Sequence, residues 1–62
     1  MNVKYYPESD QLYIELSAAK AVESEEIREG VVLDFDSSGK LVGIDIDNAS
    51  KRVDLNNVPG AA

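Results

Sequence analysis

The sequence predicts a mainly β protein, α+β only at the margin: an antiparallel meander of four to five short strands with a short C-terminal helical turn. Two observations carry this. Apolar residues recur at alternate positions in Leu12, Ile14 and Leu16, in Val31, Leu33 and Phe35, and in Val42, Ile44 and Ile46, the period of half-buried strands. Turn formers separate the runs: Pro7-Glu8-Ser9-Asp10 and Ser37-Ser38-Gly39 supply a fixed or positive φ and side chains that bond nearby amides.

Val3-Lys4-Tyr5-Tyr6 reads as the first strand, with Val3 and Tyr5 inward. Across the Pro7 turn, Tyr5 should oppose Leu12 and Val3 should oppose Ile14. The segment from Ser17 to Ala21 is too short for a stable helix and reads as a loop into a strand near Val22 to Arg28. In that strand Ile27 is in phase with Val31, Leu33 and Phe35, and Glu29-Gly30 should break or bulge the chain. In the next hairpin, Leu33 and Ile44 share a face only if paired positions sum to an odd number; a one-residue slip exposes half the core. A loop of Asp36 to Gly39 with Gly39 left-handed satisfies that parity, as does a tight Ser38-Gly39 turn; the longer loop is favoured because Asp36 can then cap it. Gly43 interrupts its strand, which fits a bulge or extra twist, or close approach by a partner backbone. Asp47-Asn48 should cap one helical turn running to Arg52. The domain is expected to span residues 1–55, with a mobile tail over 56–62.

The expected core is Val3, Tyr5, Leu12, Ile14, Leu16, Ile27, Val31, Leu33, Phe35, Val42, Ile44 and Ile46. Sixty-two residues lie near the lower size limit for an independent fold, and the chain has no cysteine or histidine for a disulfide or zinc staple. Self-association is the remaining device, so a homo-oligomer, most simply a dimer, is expected. No apolar run reaches signal-peptide or membrane-span length, so a cytoplasmic location is expected. Twelve acidic against six basic side chains give a net charge of −6, which disfavours nucleic acid and anionic membranes and suits a basic protein partner.

The segments Val-Lys-Tyr-Tyr-Pro-Glu-Ser-Asp-Gln-Leu-Tyr-Ile, Glu-Ser-Glu-Glu-Ile, Gly-Val-Val-Leu-Asp-Phe-Asp and Gly-Lys-Leu-Val-Gly-Ile-Asp-Ile, the last followed by Ala-Ser-Lys-Arg, resemble a family of small prokaryotic proteins, domain of unknown function 2283. The resemblance runs from about Val3 to Arg52. Tyr6 departs from it, standing where the family commonly has an aspartate. The family confers no activity. Members encoded beside proteins similar to small ribonuclease toxins imply an antitoxin-like partner role.

No enzyme and no cofactor is expected. The serines have no histidine to activate them, and the lysines sit in polar settings. The expected interface is Tyr6, Tyr13, Val32 and Leu41 on the outer face, ringed by acidic residues, since tyrosines are common interface anchors. The alternative is a divalent-cation or small-ligand site at Asp34, Asp36, Asp45 and Asp47, which also point outward and would gain from a cation.

Overall fold

The computed structural model describes residues 1–59. Five strands, β1 (Asn2–Tyr6), β2 (Gln11–Glu15), β3 (Glu23–Arg28), β4 (Val31–Phe35) and β5 (Leu41–Asp47), form one antiparallel sheet. Two 3-10 turns, Ala49–Lys51 and Leu55–Asn57, follow, and the described residues include no α-helix. The mainly β class is as the sequence predicts.

The strand order is β1-β2-β5-β4-β3, which corrects the expected meander. β5, rather than β3, lies beside β2 because it carries apolar side chains that gain from two neighbours. β3 reads Glu-Ser-Glu-Glu-Ile-Arg and is exposed throughout; it takes an edge, where glutamates discourage pairing with another chain. Residues 16–22 carry the chain across three strand spacings, about 14 Å, within an extended reach of about 23 Å. The Leu16 and Ser17 amides donate to the Val42 carbonyl at 2.8 and 3.2 Å, and the Val22 amide donates to Phe35 at 2.8 Å.

In the first hairpin Tyr5 pairs with Leu12 and Val3 with Ile14, as the alternation requires. Two apolar rows then cross the sheet: Val3, Ile14, Ile44 and Leu33, and Tyr5, Leu12, Ile46 and Val31.

The second hairpin reaches its parity by an unexpected route. Leu33 does pair with Ile44 and Val31 with Ile46. The turn, however, is one residue tighter than expected: the Asp36 amide donates to the Lys40 carbonyl at 2.9 Å, leaving Ser37-Ser38-Gly39 between them. Asp36 caps this turn, accepting from the amides of Ser38 (2.9 Å) and Lys40 (3.0 Å), and Gly39 has φ 84°. Pairing Asp36 with Lys40 would alone put Leu33 and Ile44 on opposite faces. A bulge restores the register: Asp34 pairs with Gly43, Phe35 pairs with Leu41, and Val42 is the extra residue. Cross-strand partners share a face. Leu41 therefore stands with Phe35 on the apolar side, which corrects its expected place beside Val32.

Between β3 and β4, Glu29-Gly30 turns the chain, with Gly30 at φ 79° and its amide donating to Glu26 Oε2 at 3.0 Å. The accompanying bulge falls at Ile27. That residue is 57% exposed and Leu16 is 40% exposed, so neither joins the core. Among the described residues the fully buried apolar side chains are Leu12, Val42 and Ala49. The rest of the expected core is half-buried.

The helical turn near Arg52 is present, but its expected cap is not. Asn48 has φ 54° and makes no side-chain cap bond. The Leu55–Asn57 turn straddles the expected boundary between domain and tail; Asp54 caps it through the Asn56 amide at 3.1 Å. Gly60, Ala61 and Ala62, the end of that tail, lie outside the described residues.

Candidate functional site

Two rows of side chains cross the outer face from edge to edge. One runs Lys4, Tyr13, Asp45, Val32, Glu26, and the other Asn2, Glu15, Gly43, Asp34, Ser24. A shorter row places Tyr6 with Gln11 and Asp47. Tyr13 and Val32 thus flank Asp45, while Tyr6 is 41% exposed at the edge. At these paired positions Glu15, Glu26, Asp34, Asp45 and Asp47 carry negative charge against the ammonium of Lys4.

Gly43 holds this face together. The Tyr13 ring lies across it: a methyl group built on Gly43 would overlap the Tyr13 hydroxyl and lie 2.5 Å from Cζ. The glycine thus sits beside the bulge, and the close approach comes from a ring of its own chain. From there the Tyr13 hydroxyl donates to Asp34 Oδ2 at 3.2 Å, and Ser24 Oγ donates to Asp34 Oδ1 at 2.7 Å. Removal from water raises the Tyr13 pKa most, followed by the Asp34 hydrogen bond and nearby carboxylates.

The four aspartates do not converge. Asp34 is held by Tyr13 and Ser24, Asp45 accepts from Gln11 Nε2 at 2.8 and 3.0 Å, and Asp36 caps its turn. Asp47 is exposed at the far end of β5. Among the described residues no group of three or more carboxylates is placed to hold a metal ion. Met1, Asn2, Glu15, Leu16, Ser17 and Ala18 line an open depression of about 240 Å³, which holds a carboxylate but no partner base.

One carboxylate has a structural role beyond the local turn that the sequence assigns to it. Asp10 has φ 54° and accepts from the Tyr5 hydroxyl at 2.7 Å, the Ser50 amide at 3.0 Å and Ser50 Oγ at 2.7 Å. Its carbonyl also accepts from the Ala49 amide at 2.9 Å. The missing cap of the Ala49–Lys51 turn therefore comes from the first hairpin. Periodicity cannot reveal a partner so distant in sequence, although Asp10 begins the Asp-x-Leu-Tyr-Ile segment that carries the family resemblance.

These contacts set the pH dependence. The Tyr5 hydroxyl first, then Ser50, holds the Asp10 carboxyl below its usual 3.8; the Ser38 hydroxyl first, then the Lys40 amide, does the same for Asp36. A depressed carboxyl stabilises the fold above its unfolded pKa, and this is lost as pH falls through the folded one. Tyr5, raised above 10.0 mainly by its bond to Asp10, and Tyr13 act oppositely. Their contribution is full below 10.0 and is lost as pH rises through their folded values. Urea denaturation across pH should therefore show losses below about pH 4 and above about pH 10. With no histidine in the chain, a main transition near pH 6 would contradict this assignment.

The family model described as "Protein of unknown function (DUF2283)" matches residues 2–50. The chain belongs to this family. The DUF2283 match opens on β1 and closes on Ser50, the residue that Asp10 holds, so the whole sheet and the clamp lie inside it. The comparison with curated proteins found no match, nor did the comparison with solved structures. Among the described residues, no helix is long and apolar enough to cross a membrane.

Proposed function

We propose that this DUF2283 protein is a non-enzymatic interaction module whose acidic outer face holds a basic protein partner, as an antitoxin-like subunit would. The observation that carries this reading is the cross-strand row in which Tyr13 and Val32 flank Asp45. Aromatic and apolar side chains supply contact area there, and the surrounding carboxylates supply attraction to a cationic surface. Tyr13 is pre-ordered over Gly43, so docking costs it little rotamer freedom. The absence of a histidine and the separation of the aspartates favour binding over chemistry.

Co-purification with the protein encoded beside it tests the reading. A complex should form at micromolar concentration in low salt, weaken as salt is added, and be lost in a double variant Glu26→Lys, Asp47→Lys that still folds. No complex in low salt, or one indifferent to both charge reversals, would sink the proposal.

A further inference from the structure

We infer that the opposite, apolar face of the sheet is where a second copy of this chain packs. The row Val3, Ile14, Ile44 and Leu33 contains no fully buried residue, although it crosses four strands. Phe35 and Leu41, paired across the bulge, extend the same side and are also half-buried. Leu12, in the adjoining row of the same face, is already fully buried within the chain, but among the described residues no α-helix and no second sheet covers the half-buried row.

Three quantities favour a copy of the chain as the occupant. The molecule exposes 4289 Å², against about 3,900 Å² for a compact monomer of this mass. A pair needs about 500 Å² from each copy to reach the lower bound for a specific interface, and Leu16 and Ile27, 40% and 57% exposed, add apolar area to the half-buried rows. Charge selects the face. Two chains of net charge −6 repel, and meeting through their outer faces would oppose Glu15, Asp34, Asp45 and Asp47 to their own images. The apolar rows are uncharged across β1, β2, β5 and β4; charge appears only at the β3 rim, where Glu23 pairs with Phe35, Glu25 with Leu33 and Arg28 with Val31. Sheets packed in this way interleave branched side chains about 10 Å apart, which would complete the burial of the half-buried row. The inference does not depend on the basic partner proposed above, since the two use opposite faces.

Sedimentation of the full chain at micromolar concentration tests it, with two variants. The wild type should sediment at twice the chain mass. Lys4→Glu, which makes the exposed outer face more acidic, should stay paired; Leu33→Glu, which changes the net charge less, should run at the mass of one chain. If Leu33→Glu unfolds, methyl relaxation of the wild type by a soluble paramagnetic probe decides. Shielded Ile14, Leu33 and Ile44 methyls beside open Val32 methyls support the pair. A wild type of single mass overturns the inference, as does a pair broken by Lys4→Glu, a pair that survives in folded Leu33→Glu, or Leu33 and Ile44 methyls as open as those of Val32. If the single-mass wild type instead binds vesicles or a different protein through this face, the occupant is not a second copy and the inference also fails.

Discussion

Gly43→Ala is expected to destabilise the protein by about 2–3 kcal/mol, the upper part of the range for forcing an extra carbon into occupied space. The added methyl falls on the Tyr13 ring. The ring must then leave, and the Tyr13 bond to Asp34 goes with it. For a domain this small that is a large share of the total stability. The decisive measurement is a double-mutant cycle in urea. With Tyr13→Ala already present the space is open, and Gly43→Ala should become neutral or favourable by up to about 1 kcal/mol, the ordinary preference for alanine over glycine within a strand. Additive effects would mean that Tyr13 does not occupy that space. The same substitution should weaken partner binding, because it displaces a central side chain of the proposed surface.

Replacing Asp10 should have the next largest effect. Its carboxylate joins the Pro7 turn to the Ala49–Lys51 turn through Tyr5 and Ser50, so its loss undoes bonds at both ends. Asp10→Gly tolerates the positive φ while deleting every side-chain acceptor, and should lower the thermal midpoint by on the order of 10 °C. Asp10→Asn also tolerates that backbone and keeps one acceptor, so it should fall between the glycine variant and the wild type. It should also remove the Asp10 part of the loss below about pH 4, since an amide does not titrate there. Equal midpoints for the two variants would show that the acceptor contributes nothing.

These two sites differ in how far the sequence exposes them. The apolar alternation in β1, β2, β4 and β5 is set by the pleat, and a half-buried strand can satisfy it in only one phase. The pairings Val3–Ile14 and Leu33–Ile44 were therefore legible. So was the Asp36 cap, because its donors lie within four residues. The bulge at Val42 was hidden, although a signal existed: Ser37-Ser38-Gly39 is a favourable three-residue turn, and its parity conflicts with the apolar phase unless one residue is added. Leu41 changed faces for that reason. Ile27 left the core because its own bulge at the β3–β4 turn removes it from the ladder. The four aspartates were legible as polar positions, but the fold gives each a different setting: Asp34 is held by Tyr13 and Ser24 and Asp45 by Gln11, while Asp36 caps its own turn and Asp47 stands exposed.

Local chemistry written along the chain settled which segments become strands, which side of each is apolar, and where the turns fall, because those depend on neighbours a few positions away. Folding in three dimensions decided that β5 sits at the centre and β3 at the rim, that Tyr13 lies over Gly43, and that Asp10 holds Ser50. Each of those joins residues far apart in sequence, where strand period carries no information and only the competition for buried space and hydrogen-bond donors selects the partner.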